Sequence, residues 1–406
     1  MNLTLLIFLL ATSIFASDPV IKSLHTYPNN NLTKIPVIRM GTSDKLTVEF
    51  DVEAEHEPSF NIKFKFCDAN WNPYENLLLE GIGENVLYNV YLERLPHTTQ
   101  GAEYHVKEKF PKQNIKFNVS GKWIYFITDT FDEDIVYDWG KFYVVENIVN
   151  IKSQFNKWRR EGRISNNNAR DRTINLKAGF ELPDSLIPFR VNYVEIIKNM
   201  ELDNPINIEK DAFAKNKSYE WDGANNFEFG IRDLEPGNEY RQVNLRDKNK
   251  FQFPNTRAQF DGIEYSRFYK LGNKDLNGGF KLLDKNNEYS DYLVAEFQFK
   301  PHDDVYDDIY IVGSFTNWEV LPWYKLDAKE DFYSINLELK RGIYDYQYVT
   351  GKSVSDAYED RVENIDWRIF EGNYWDTENV YSIFLYYKSP EKGEYDKIIG
   401  FKQIVR

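Results

Sequence analysis

The residues of this chain that could do chemistry are few and scattered. Its five histidines are His25, His56, His97, His105 and His302. A zinc site needs several imidazole, thiolate or carboxylate ligands held together, and sequences announce it by spacings such as His-Glu-x-x-His on one helical face. No such spacing occurs. Glu53-Ala54-Glu55-His56 is a lone Glu-x-x-His in an acidic turn, with no helical period and no second histidine nearby, and it reads as chance. Cys67 is the only cysteine, so no disulfide can form within the chain. Lys65, two places back on the same strand face, is a weak thiol activator, and the reading is a strand-end cysteine. His302-Asp303-Asp304 and Asp307-Asp308 lack the alternating ligand spacing of a calcium loop and read as an acidic surface turn. Paired carboxylates for glycoside hydrolysis are recognised by their separation in space, so the 64 acidic residues carry no weight by themselves. There is no phosphate-binding glycine loop and no nucleophile elbow. The expectation is a non-enzymatic protein with no catalytic residues, no metal and no cofactor. One group of rings remains: Trp318, Trp323 and Tyr324. Exposed and coplanar, they would make a stacking surface for a polysaccharide; buried, they would be packing.

Composition bounds what could position such residues. The chain has 406 residues, enough for two or three domains. Tyr and Phe number 28 and 29, against 3 Met, and aromatic residues favour half-buried strands. The formal net charge is -14. Phosphate binding draws on clustered Lys and Arg, so the balance argues against a nucleic-acid partner and against adhesion to an anionic membrane. Residues 1–16 (MNLTLLIFLLATSIFA) read as a secretory signal peptide cleaved near Ala16, although its leading segment has no Lys or Arg. No cysteine at the cleavage site offers a lipid anchor. No other apolar run is long enough to span a bilayer.

The remaining chain reads as all-β, a tandem of immunoglobulin-like β-sandwich domains. A first sandwich is expected over 17–147. In Lys45–Val52, Leu46, Val48, Phe50 and Val52 share one face, the mark of a half-buried strand. Ile62, Phe64 and Phe66 repeat the pattern, and GKWIYFIT (121–128), apolar on both faces, reads as a central strand. Tyr74–Gly81 (YENLLLEG) is either a loop packed across the sandwich end or an apolar patch facing a partner. A second β-domain is expected over 148–288. It opens on Arg159, Arg160, Arg163, Arg170 and Arg172, either an anion site or, as the excess of acids favours, a solvated loop. Asn199–Ser218 reads as a long loop or irregular hairpin. A third sandwich is expected over 289–406, completed by a strand at Val380–Tyr387. Within it Tyr344, Tyr346 and Tyr348 alternate onto one face.

Two resemblances attach to named motifs. Ile309–Val312, the turn Gly313-Ser314-Phe315-Thr316-Asn317-Trp318 and the Tyr344–Tyr348 strand resemble the early-set immunoglobulin-like domains that bind glycogen and starch. That resemblance implies a sandwich with Trp318 in the sugar-stacking position. Gln347 stands where those domains carry a sugar-bonding Lys. The second resemblance spans nearly the whole chain. It rests on Tyr27-Pro28-Asn29-Asn30-Asn31, Pro36-Val37-Ile38-Arg39-Met40-Gly41, Cys67-Asp68-Ala69-Asn70-Trp71, Glu371-Gly372-Asn373-Tyr374-Trp375-Asp376 and Thr377–Tyr381, in that order. Together these resemble the Plug family of the type IX secretion system of Bacteroidota-type bacteria. The resemblance implies a non-enzymatic periplasmic protein on the inner side of the outer membrane. Its partner would be the translocon β-barrel, whose periplasmic mouth it seals when no cargo is present. The alternative is a polysaccharide-binding module using Trp318, Trp323 and Tyr324.

Overall fold

A computed structural model describes residues 18–80, 85–112, 114–159, 172–210, 214–260, 262–268, 274–284, 287, 290–355 and 360–406. The expected leader and Arg160, Arg163 and Arg170 lie outside these residues. The described chain is built almost wholly of strands, arranged as facing sheets.

The first sandwich pairs Val20–Pro28, Leu46–Glu53, Tyr104–Phe110 and Glu93–Arg94 in one sheet. The facing sheet orders Val37–Arg39, Val136–Val145, Gly121–Asp129, Phe60–Cys67 and Val86–Leu87. Gly121–Asp129 is central, as its two apolar faces require. Leu46, Val48, Phe50 and Val52 fill the core with Phe60, Ile62, Phe64, Phe66 and Trp123. Fully burying a Leu or Phe is worth roughly 1.5–3 kcal/mol, so each of these side chains contributes substantially to the stability of the unit. The opposite face of Leu46–Glu53 departs from the half-buried expectation. Thr47 and Asp51 are also buried, and Asp51 is covered by Lys340 and Tyr292 of the third sandwich. In the Tyr74–Gly81 stretch, Tyr74 stacks on Phe66 with ring centroids 5.3 Å apart, and Leu79 is buried. Leu78 points out to solvent. Tyr74 and Leu79 thus pack inward, as the loop-packing reading expects.

The second sandwich is not contiguous in sequence. One sheet orders Lys152–Arg159, Arg172–Glu181, Asn226–Leu234 and Lys217–Trp221. The other orders Ile206–Glu209, Val191–Lys198, Val380–Ser389 and Tyr395–Val405. Val380–Ser389 thus pairs with Val191–Lys198, with Val194 opposite Leu385 and Ile196 opposite Ile383, and not within the third sandwich as expected. Both of its faces are apolar. Ile383 and Leu385 enter the core of the second sandwich, and Phe384 and Tyr386 pack toward the first. A strand buried on both faces is satisfied only in the middle of a sheet with a neighbour on each side. The segment read as a loop over Asn199–Ser218 holds the short edge strand Ile206–Glu209.

The third sandwich lies between the two halves of the second. The long strand Gly342–Ser355 pairs with Arg241–Asn244, Phe280–Leu282, Asp308–Gly313 and Asp360–Asp366. The facing sheet is built on Tyr292–Lys300 and Tyr333–Lys340. Strands from 241 to 282, expected in the second domain, therefore belong here, and the division at 288 does not follow the strand pairing. Tyr344, Tyr346 and Tyr348 do share a buried face. The Tyr346 and Tyr348 hydroxyls both donate to Glu264 Oε2 at 2.8 Å, which satisfies them inside the core.

Candidate functional site: the junction of three sandwiches

The chemistry-bearing side chains gather at the seams between units. Between the first and second sandwiches, Lys122 from the central strand meets Glu195 at 2.6 Å, with both side chains at most 2 % exposed. Lys122 also donates to the Ala69 carbonyl at 2.7 Å, and the Tyr143 and Tyr386 hydroxyls donate to Glu195. These added hydrogen bonds are what a buried ion pair needs in order to offset its desolvation. Between the first and third sandwiches, Asp51 accepts from Lys340 Nζ at 2.5 Å, Tyr292 Oη at 2.8 Å and His105 Nδ1 at 2.7 Å. Between the second and third, Tyr240 donates to Glu201 at 2.6 Å and accepts from Asn199, which also bonds Asn379.

The motifs read from the sequence map onto these seams. In Cys67–Trp71, Ala69 supplies the carbonyl for Lys122, and the Lys122 ammonium sits 5.0 Å from the Trp71 ring centroid. In Glu371–Asp376, Asn373 accepts from Gly237 N at 2.9 Å and Tyr374 N donates to Gly237 O at 2.8 Å. Trp375 donates to Thr173 O at 2.9 Å, in the second sandwich. These bonds tie the outgoing and returning chain segments where the third sandwich leaves the second. Glu371 itself is clamped between Arg241 Nε at 2.8 Å and Arg267 Nε at 2.7 Å.

The three units enclose a cleft of about 590 Å³. The first contributes His25, Tyr125, Asp138, Trp139 and Lys141; the second, Met200, Leu202 and Asp203; the third, Phe280 and the 314–324 turn. His25 stacks on Phe280 with centroids 3.9 Å apart, and burial pushes its imidazole down to about 4. Burial raises the Asp138 carboxyl to about 6, against the single bond it accepts from Trp139 N.

The ring residues singled out for sugar stacking all line this cleft but do not form one platform. Trp318 is 1 % exposed. Asn317 and Trp318 both take positive φ, +50° and +63°, and the turn drives the indole inward. Its Nε1 donates to Gly278 O at 2.7 Å, and its ring lies 4.2 Å from Tyr240. Position 278 takes φ +82°, and a Cβ there would come within 3.0 Å of the indole nitrogen, so glycine is required. Trp323 is exposed, while Tyr324 is half-buried against Phe315. Gln347 is buried, and its side-chain amide donates to the Trp367 carbonyl. Trp318 therefore has no free face for a sugar. Trp318→Phe keeps most of the packing but orphans the Gly278 carbonyl. It is expected to cost about 1–2 kcal/mol in urea unfolding and to leave migration in glycogen gels unchanged. Retardation by glycogen that this variant abolishes would reverse the assignment.

The other candidates have ordinary surroundings. His56 is exposed, and Glu53 pairs with Lys22. Asp308 pairs with Lys325 at 2.6 Å. Burial pushes the Cys67 thiol up to about 12, the wrong direction for a nucleophile. Among the described residues, no group of three His, Cys, Asp or Glu is placed to hold a metal. Also among them, no helix is long and apolar enough to cross a membrane. The seam residues Asp51, Lys122 and Glu195 and the cleft residue Asp138 were not singled out in the sequence. For Lys122 and Glu195 the signal is a charge within a largely apolar strand, GKWIYFIT and VNYVEIIK; Asp51 and Asp138 sit in strands with other charges and carry no such mark.

These features define a class: an all-β protein of three interlocked sandwiches whose buried charges hold units together. Residues 21–146, the first sandwich, match the family described as Type 9 secretion system plug protein 1st domain, in agreement with the resemblance carried by the sequence motifs. A crystal structure of a hypothetical protein from Parabacteroides merdae ATCC 43184 is similar along its whole length. The TM-score is 0.75 at 19% identity, covering 95% of this chain and 97% of that one. The three-sandwich fold is therefore shared end to end. No curated protein matches the chain.

Proposed function

We propose that this protein is a periplasmic stopper of the type IX secretion system. It binds the periplasmic mouth of the outer-membrane translocon barrel and closes it when no cargo is present. The observation that carries the reading is the match of the first sandwich to a plug first domain. The seams support it, since a stopper must resist deformation, and each pair of sandwiches is joined by buried, hydrogen-bonded carboxylates. A barrel wide enough to pass folded cargo leaks when empty, because strand number sets the lumen. Closing it needs binding and no bond-breaking step. Holding against diffusion calls for roughly 1,200–2,000 Å² of buried interface, and release then requires a competitor or a second conformation.

Deleting the gene is expected to leave secretion partly working and to admit large hydrophilic solutes. Vancomycin sensitivity should rise in the deletion strain and return to normal when the barrel is also removed. Unchanged sensitivity, with no barrel recovered on the protein from detergent-solubilised outer membranes, would sink the reading.

A further inference from the structure

The cleft at the triple junction carries charge and rings in a combination the stopper role does not use. Its lining carboxylates are Asp138, Asp203, Glu319 and Asp360, and the only Lys or Arg among the described lining residues is Lys141. Lys141 is already engaged, paired with Asp203 and lying 4.8 Å from the Trp139 ring centroid. Asp138 has no described cation beside it; its one bond is from Trp139 N at 2.8 Å. The raised carboxyl value is what a desolvated carboxylate without a counter-ion shows. At the rim, Trp323 is 67 % exposed, an unusual position for the largest apolar side chain. On the floor, His25 is 5 % exposed with both ring nitrogens unpartnered. Its depressed value keeps it neutral near pH 7, so it adds no repulsion to an incoming cation.

We propose that this cleft receives an arginine side chain from an extended segment of a partner protein, held by the Asp138 carboxylate and stacked on the Trp323 ring. The volume of about 590 Å³ lies within the range of sites that enclose a drug-sized ligand and holds a side chain with its flanking peptide groups. A guanidinium suits the lining better than an ammonium. It is planar, stacks on indole faces and bonds a carboxylate through two parallel N–H groups. The contact between Lys141 and Trp139 is the same interaction made within the chain. The net charge of -14 favours approach of a basic segment from any direction. The site is independent of whether the protein closes a barrel.

The test is calorimetric titration of the full mature chain with the capped tripeptide acetyl-Gly-Arg-Gly-amide. Parallel titrations use its citrulline counterpart, which has nearly the same shape without the charge, and maltoheptaose. The arginine peptide should saturate the protein with one site, and the citrulline peptide should bind at least about tenfold more weakly, as loss of a charge-assisted pair implies. Asp138→Asn should weaken the arginine peptide by a similar factor. Trp323→Ala changes an exposed side chain and leaves the fold intact, and it should also weaken binding severalfold. Equal binding of arginine and citrulline peptides would overturn the proposal. So would affinity unchanged in both variants, or no saturation up to about 10 mM peptide, the affinity range of the weakest specific contacts. Maltoheptaose binding that Trp323→Ala removes, with no arginine binding, would assign the cleft to a saccharide instead.

Discussion

Glu371→Ala is expected to lower the stability of the third sandwich by about 3–5 kcal/mol, the usual cost of leaving a buried charge without its partner. Glu371 is 2 % exposed and holds two guanidiniums at once. Arg241 keeps Glu264 at 3.1 Å and the Tyr265 carbonyl; among the described residues Arg267 keeps the Glu239 carbonyl at 2.7 Å. Without the shared carboxylate, the two like charges repel inside a low-dielectric setting. Glu371→Gln retains the shape and one acceptor, so it should cost less than Ala but remain clearly destabilising. Urea unfolding followed by tryptophan fluorescence measures the difference, analysed as separate transitions where the units do not unfold together. A loss under about 1 kcal/mol for the Ala variant would show that the arginines find other partners.

Asp51→Ala should produce a loss of similar size at the seam of the first and third sandwiches, because it strands the Lys340 ammonium, 4 % exposed, in the interior. Its pH dependence has a defined sign. Burial works against the Asp51 charge, but the bond from His105 and the nearby Lys340 outweigh it, so its carboxyl stays below the ordinary 3.8. That contribution is complete above 3.8 and is lost as pH falls through the folded-state value. Burial likewise works against a charged His105, and its bonds to Asp51 and Glu49 outweigh it, raising the imidazole above the ordinary 6.5. That contribution is complete below 6.5 and is lost as pH rises through the raised value. The free-energy gap between wild type and Asp51→Ala should therefore be widest between these limits and narrow on both sides. Unfolding curves at a series of pH values give the gap directly, and a gap that does not vary with pH would exclude the linkage.

Much of the fold was legible because strand alternation is local information. Leu46, Val48, Phe50 and Val52 fall on one core face, and Tyr344, Tyr346 and Tyr348 on another, as their spacing requires. Which sheet a strand joins is not local. Val380–Ser389 is apolar on both faces, which marks a central strand, but its neighbour Val191–Lys198 lies almost two hundred residues earlier. The ring at Trp318 shows the same limit. An exposed platform and a buried wedge use the same residue type, and here Gly278 and Tyr240, from distant segments, decide between them. The Glu371–Asp376 motif was legible as a family mark and not as a mechanism. Its roles as a clamp on two arginines and a tie to Gly237 depend on partners more than 100 residues away. Asp138 escaped notice because an Asp-Trp pair in a strand is unremarkable until a cleft opens over it.

The placement of the third sandwich inside the second sets an order on folding. The second sandwich cannot close its sheet until Val380–Ser389 and Tyr395–Val405 exist, so it is the last unit to finish however early its first strands are made. Pairing across so long an intervening segment would ordinarily carry a loop-closure cost and a slow rate. An intervening segment that folds first removes that cost. Once the third sandwich forms, Gly237 and Asn373 are held 2.9 Å apart, and a search over 136 residues shrinks to one over a short tether. The strands Val380–Ser389 and Tyr395–Val405 then complete the sheet. A chain truncated before Val380 would lack half a sheet of the second sandwich, leaving its Val191–Lys198 edge open to other chains, and would lack Tyr395 in the core of the first.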